Sequence, residues 1–473
     1  MSAAVIDAGF QSKAVEAKWR EAMHSAAGFS ALRAWLEEKL PRAQRGVGGH
    51  VVAALSVVGE KGTGNEGAQG DEITQEYATC VWTRDAALVA MALVEAGDVE
   101  EGTGAITALA ELYKRPDHVE FFDNLIESKG EGHSSKTAAP IKFHAETGDR
   151  NEWMHEQLDA IGLFLLAYCE IIKSPDVVFV ARFVQYLHAV RYWDVEDRGH
   201  WEEAPESSRL SSVGCCVAAL TAAMPIIEQG GCPSATIADG KEALAEGWKI
   251  VKARLADPAG VRELPAPSTR DADSAMLTLL LPPLARRLEL NQDEKRALIT
   301  SSLRLRRSIG VLRYEDDSYY NADYQTNLCA WLDKAKAAGS PDLHPPLATR
   351  DSWNKPGCEA EWTMFENLLL MHFLSELRLA GKDSAEAKTF AAEAARSLRR
   401  ILAAIEEEKE GDEVVRLHIH ESYVVVAGKR QPNDVRDLMW AVAYTRLVLQ
   451  KYAEELEDPE TAAVLTAASA ALV

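Results

Sequence analysis

The chain has 473 residues, 47% of them hydrophobic, which is ample material for a large buried core. Its 73 acidic against 51 basic residues leave a formal net charge of -22, which argues against nucleic acid or an anionic membrane surface as a partner. A solvated acidic surface is the ordinary source of such a charge, and it is silent on a neutral ligand such as a sugar. Seven cysteines form no CxxC pair or metal-type cluster, and the adjacent Cys215 and Cys216 read as small core residues. The polar, amphipathic opening segment lacks the pattern of a secretory signal, and no run reaches the ~18 apolar residues that span a bilayer. A cytoplasmic location is therefore expected.

Helical periodicity recurs along the whole chain. It predicts helices over 11–26, 29–40, 84–97, 100–114, 153–173, 207–229, 236–255, 271–290 and 294–306. Further helices are predicted over 324–337, 360–380, 384–407, 434–456 and 459–472. Asp85 to Ala96 carries small apolar residues on nearly every face, as does Met154 to Ile172, so both are expected to be buried on most sides. No period of 20–50 residues stands out, which disfavours a solenoid. Long loops over 60–76, 129–152, 190–206, 307–323, 339–359 and 408–433 alternate with helix pairs. That alternation suggests a toroid with its site at the loop-bearing end. No low-complexity linker interrupts the chain, so one all-helical domain over 1–473 is expected. The glycine-rich stretch 59–67 has neither the lysine-serine ending nor the strand–turn–helix frame of a phosphate loop.

Four loop segments concentrate Trp, Arg, Asp and Glu. The first is Val81-Trp82-Thr83-Arg84-Asp85, where an N-capping Asp with a salt-bridged Arg is the ordinary structural reading. The chemical reading is a fork of donors and a carboxylate gripping sugar hydroxyls, with Trp82 as a stacking face. The second is Trp201-Glu202-Glu203, followed by Ser207-Ser208. Adjacent carboxylates beside an indole favour a raised pKa, which suits a general acid, and either serine can cap the next helix. An ordinary acidic loop has the same composition. The third, Arg313-Tyr314 to Tyr319-Tyr320-Asn321, mixes one Arg, three acids and three tyrosines, as a carbohydrate rim or a surface ion-pair cluster would. The fourth is Leu417-His418-Ile419-His420-Glu421-Ser422-Tyr423. A third ligand at motif spacing is missing for a metal reading of its histidines, so a short strand delivering Glu421 into a cleft is preferred. Val435-Arg436-Asp437-Leu438-Met439-Trp440 follows and opens another apolar helix.

In this order the segments resemble the glucoamylase family of glycoside hydrolases, over most of the chain. Trp82-Thr83-Arg84-Asp85 is similar to that family's W-[TP]-R-D motif, whose Arg and Asp hold the terminal glucose. Trp153 to Asp159 (WMHEQLD) resembles its W-G-x-x-Q-x-D helix start, which implies pocket roles for Trp153, Gln157 and Asp159. Trp201-Glu202-Glu203 resembles the acid loop W-E-E-V-x-G-S, making Glu202 the implied general acid, with Trp201 and Glu203 as substrate contacts. The third segment is similar to R-Y-P-E-D-x-Y-Y-N, which implies that Arg313 binds sugar. The fourth resembles A-E-Q-[YF], with R-D-L-x-W following it, which makes Glu421 the implied general base and places Trp440 in the site. The resemblance implies an (α/α)6 barrel, no metal or organic cofactor, and an oligosaccharide or glucan substrate.

The chain departs from the family pattern at Glu206 beside Pro205, at Asp323-Tyr324-Gln325, at Ser422, and at Ala78 and Cys80 just before the first motif. These positions bear on the second and later sugar units. The expected activity is inverting, exo-acting hydrolysis of α-1,4 or α-1,6 glucosides. Such a mechanism needs carboxyl groups roughly 6.5–9.5 Å apart, so that a water fits at the anomeric carbon. Two alternatives stand beside it. One is trehalose or another α-glycoside as substrate. The other is a non-catalytic sugar-binding role, which Gly357 to Glu366 brings in by its likeness to the glucoamylase-like region of phosphorylase kinase regulatory subunits.

Overall fold

The computed structural model describes residues 8–57, 76–203, 207–265, 268, 270–337, 345–381 and 384–472. The glycine-rich stretch 59–67 and the departures at Pro205 and Glu206 lie outside the described residues. In chain order the helices are α1 (Lys13–Ala22), α2 (Ala26–Lys39), α3 (Thr83–Glu95), α4 (Val99–Tyr113), α5 (Pro116–Glu127) and α6 (Leu158–Ile171). They continue with α7 (Val177–Ala189), α8 (Leu210–Gln229), α9 (Ser234–Leu255), α10 (Pro282–Arg287), α11 (Gln292–Leu303) and α12 (Tyr324–Ala337). The last are α13 (Leu347–Asp351), α14 (Phe365–Leu379), α15 (Ala385–Ala403), α16 (Met439–Glu455) and α17 (Pro459–Ala470). Short strands complete the chain: β1 (Ala54–Val57), β2 (Cys80–Trp82), β3 (Lys142–His144), β4 (Glu361–Trp362), β5 (Ile405–Glu410), β6 (Glu413–Ile419), β7 (Ser422–Val426), β8 (Lys429–Pro432) and β9 (Val435–Leu438).

The chain divides into two compact units. Unit 2 takes residues 44–53 and 76–305, and is built from helix hairpins. In each hairpin one helix is apolar all round and its partner is amphipathic. Every residue of α6 from Leu158 to Tyr168 is buried, as is every residue of α8 from Leu210 to Leu220 and of α3 from Ala86 to Leu93. Their partners α4, α7 and α9 bury one stripe each and turn polar residues outward. The turns that close these hairpins are short, whereas the connections leading into α6 and α8 are long. Motif residues therefore collect at the N-terminal ends of the apolar helices.

The inner helices α6 and α8 pack so closely that the Cα of Gly162 lies against backbone. A Cβ there would meet the Cys215 carbonyl carbon at 2.7 Å and the Cys216 nitrogen at 2.8 Å. Helix α8 is long and apolar enough to cross a bilayer by length and composition, which corrects the expectation that no segment reaches that length. Its apolar window is 83% buried inside the unit, the mark of a core helix.

Unit 1 takes residues 1–43, 54–75 and 306–473, and repeats the inner–outer pattern in α14 with α15 and α16 with α17. Its β-structure gathers around one point. Hairpin β5–β6 sets Ile405 opposite Ile419, hairpin β7–β8 sets Val424 opposite Gln431, and β4 and β9 flank them. Glu366 lies at the start of α14 and is shared by Arg306 and Arg400, whose guanidinium groups approach it at 3.0 and 2.5 Å. All three side chains are buried, and the paired charges offset one another.

Several expected boundaries move. The helix predicted from 153 begins at Leu158, because Trp153 to Gln157 is loop, and the one predicted from 434 begins at Met439 after strand β9. The expected loop over 408–433 is two β-hairpins, and 271–290 is a 3-10 turn (Ser274–Leu280) followed by the short α10. Helices α5 and α7 were not predicted. Pro116 starts the first, and Asp176 caps the second by accepting from the Val178 and Phe179 amides. Neither Ser207 nor Ser208 caps α8, since Arg209 is its N-cap and Ser208 accepts a hydrogen bond from Arg254 instead.

Gly162→Ala is expected to destabilise the protein by about 2–3 kcal/mol, because backbone rather than a side chain must give way. Thermal unfolding of the variant checks this, and an unchanged midpoint would refute the close approach.

Candidate active site

The centre of unit 2's candidate site is Arg84, which enters α3 at its first turn and is buried. Its Nε donates to Asp159 Oδ2 at 2.6 Å, and its Nη2 donates to Asp159 Oδ1, to Gln157 Oε1 at 2.6 Å and to the Gly199 carbonyl at 3.1 Å. That leaves Nη1 directed at Glu202 Oε1, 3.5 Å away. Burial alone would raise the Asp159 carboxyl pKa, but Arg84 and His200 outweigh it and hold the pKa well below the usual range. Asp85 does not cap α3; Trp82 stands at that position without a side-chain cap bond. Burial pushes the Asp85 carboxyl up to about 7; Arg84 works against the rise and the nearby Glu202 adds to it.

Glu202 is held from two sides. Its Oε2 accepts from Trp153 Nε1 at 3.0 Å, opposite the contact from Arg84, and its side chain is 20% exposed. Its backbone lies in the left-handed region at φ 56°, a conformation that costs a non-glycine residue free energy and aims the carboxylate out of the loop. The flanking residues anchor this turn. Trp201 Nε1 donates to Asp273 at 2.7 Å, Arg270 pairs with both Asp273 and Glu203, and Arg198 donates to the Glu203 carbonyl. Glu203 is buried, with Oε2 receiving Arg270 Nη2 at 2.8 Å. Below the loop, Asp197 accepts from the Leu158 amide and from Ser212, and burial beside Asp159 pushes its carboxyl up to about 6.

Trp82 and Trp153 meet edge to face at 6.0 Å, and Tyr77 packs on Trp82 at 5.3 Å. Sequence reasoning did not find Arg270, Asp273 or Lys142, which carry no motif of their own and reach the site only through the fold.

Unit 1 places Glu421 between β6 and β7. It is buried, and its Oε2 accepts from Asn433 Nδ2 at 3.0 Å, while Asn433 also receives the Ser422 amide. Tyr319 and Tyr320 lie near enough that the Glu421 charge adds to the burial raising their hydroxyl pKa values. Arg313 is buried and bidentate to Asp317, at 2.6 and 2.7 Å, with its guanidinium 4.6 Å above the Tyr319 ring. Trp362 stacks on the same tyrosine, its ring 6.2 Å from that of Tyr319 at 15°. Trp440 opens α16 and packs edge-on against Phe365 at 6.0 Å.

The two histidines before Glu421 are each held at both ring nitrogens. His418 contacts Asp437 and Glu408, each at 3.0 Å, and His420 contacts the Asn433 carbonyl and Glu406. Burial works against protonation of His418, but the two carboxylates prevail and raise its pKa. Asp437, the Asp of the second Arg-Asp pair, is fully buried in the left-handed region and also receives the Ile419 amide.

Comparison with solved structures supplies the class. A wild-type glycosidase is 16% identical with a TM-score of 0.57, covering 93% of this chain and 98% of that one. A variant of the name glycosidase, solved in complex with glucose, gives 0.55 at 16% identity over the same shares. The glucoamylase of Saccharomycopsis fibuligera gives 0.52 at 14% identity, covering 97% and 99%. At these identities the likeness shows the fold, the six-hairpin (α/α)6 barrel expected from the sequence. The chain belongs to glycosyl hydrolases family 15, whose family model matches residues 31–341, well over half of its length, and it is a glycoside hydrolase. That stretch contains Arg84, Glu202 and Arg313, and Glu421 lies beyond it. No curated protein matches the chain.

The pKa of Asp85, about 7 against an ordinary 3.8, has a consequence for stability. Between those values the folded chain keeps a proton that the unfolded chain has released, so this group's contribution to stability falls as pH rises. Asp85→Asn removes that slope. Its melting temperature relative to wild type is expected to increase from about pH 4 to about pH 7. A difference that stays constant over this range would show that Asp85 titrates normally.

Proposed function

We propose that the enzyme is an inverting, exo-acting α-glucoside hydrolase that releases glucose from the non-reducing ends of α-1,4- or α-1,6-linked glucosides. The observation that carries this reading is the hold on Glu202. Trp153 and Arg84 both donate to its carboxylate, and Gln157 and Asp159 fix Arg84, so four motif residues converge on one partly exposed acid. The glucose bound to the structurally similar glycosidase variant supports a glucosyl substrate.

In this mechanism Glu202 protonates the glycosidic oxygen as the bond to the anomeric carbon breaks through an oxocarbenium-like transition state. Glu421 takes a proton from a water that attacks the opposite face of the ring. The bond from Asn433 Nδ2 to Oε2 holds this carboxylate in place, which supports the assignment. Arg84, Asp85 and Arg313 are assigned to orienting the terminal unit, by their own bonds to sugar or by shaping the walls around it.

Glu202→Gln and Glu421→Gln are each expected to lower kcat by about 10²–10⁴-fold on maltose or isomaltose, with a smaller change in KM. An NMR time course of the wild type is expected to show β-glucose as the first product. Initial α-glucose would overturn inversion, and wild-type rates in both variants would overturn the assignment of acid and base. Running trehalose and glycogen alongside decides the linkage and chain-length preference.

A further inference from the structure

Lys142 stands in β3 directly opposite Trp82 of β2, and its side chain is fully buried. Its Nζ lies 4.5 Å from the centre of the Trp82 ring and 3.8 Å from that of Trp153. It is anchored by an ion pair to Glu76 at 2.7 Å. A buried ammonium is costly unless it is paired, and an apolar residue would fill the same space without that cost. What the charge adds is a hold on the faces of both indoles, which attract a cation through their quadrupoles. One of these indoles, Trp153, gives its Nε1–H to Glu202.

We infer that Lys142 is a positioning residue for Glu202, acting through Trp153: it fixes the indole so that its N–H meets the carboxylate. A cation against the ring face also draws electron density from the indole and strengthens that N–H as a donor. The inference rests on Glu202 being the general acid. Other charges face the pair. Arg84 on α3 approaches Glu202 at 3.5 Å, with Asp85 next to it in the chain and Asp159 of α6 behind Arg84. Around Lys142 stand Glu76, the Cys80 thiol of β2 and the His155 ring, which burial keeps neutral with its pKa held down to about 3.

The test compares Lys142→Met and Lys142→Arg with wild type on two substrates. Maltose has a poor leaving group and needs protonation, whereas α-glucosyl fluoride departs without it. Lys142→Met is expected to lose about 10-fold in kcat/KM on maltose and little on the fluoride. The loss on maltose is expected in kcat rather than in KM, since the groups assigned to holding the sugar are unchanged. Lys142→Arg, which retains the charge, should stay within about twofold of the wild type on both substrates. Equal losses on both substrates, or a loss in Lys142→Met carried by KM alone, would reduce Lys142 to a packing residue and overturn the inference. Glu202→Gln separates the two readings. If it loses maltose activity while Lys142→Met behaves as wild type, only the role of Lys142 falls. If it keeps full maltose activity, the assignment of the acid falls and this inference with it.

Discussion

A guanidinium buried at the start of an apolar helix organises the candidate site in unit 2. Arg84 has five N–H donors in a rigid plane, and the chain supplies Asp159, Gln157 and the Gly199 carbonyl along two sides of it. Removing such a group from water is tolerable only with this degree of satisfaction. The arrangement ties together the first turn of α3, the entry to α6 and the loop before α8, three elements far apart in sequence. One edge of the plane is left to Glu202. The acid is therefore positioned by a group whose own orientation is fixed from behind.

The hairpin architecture explains why the chemistry collects where it does. Helices buried on all sides need short, plain turns at one end, and their other ends receive the long connections. Those connections carry the strain. Glu202, Tyr320 and Asp437 all adopt left-handed backbone without being glycine, and each lies in a segment with a chemical pattern. In each case the surroundings over-determine the turn: Arg270 and Asp273 around Glu202, the Arg313–Asp317 pair beside Tyr320, and His418 with the Ile419 amide around Asp437.

Carboxylates of identical type are driven apart by position alone. Asp159 faces Arg84 and stays ionised, Asp197 lies behind it without a comparable cation and holds its proton more tightly, and Asp85 is raised by burial. Glu203 adjoins Glu202 in sequence, yet its carboxylate is engaged by Arg270, so neighbours along the chain take different surroundings.

The helical character, the buried nature of α3 and α6, and the order of the Trp-Arg-Asp and Trp-Glu-Glu segments were all legible in the amino-acid sequence. These features are local: periodicity and short motifs need no long-range contact to be recognised. Tertiary structure decided which partner each charge takes. Arg84 beside Asp85 looks like a neighbouring ion pair, but its partner is Asp159, 75 residues away. The second Arg-Asp pair looks like a copy of the first, yet Asp437 turns inward to His418. Lys142 gave no signal at all, because a lysine in a short strand is ordinary until two indoles and a carboxylate close around it. Electrostatic pairing depends on distances of a few ångströms between segments remote in sequence, and only the folded chain sets those distances.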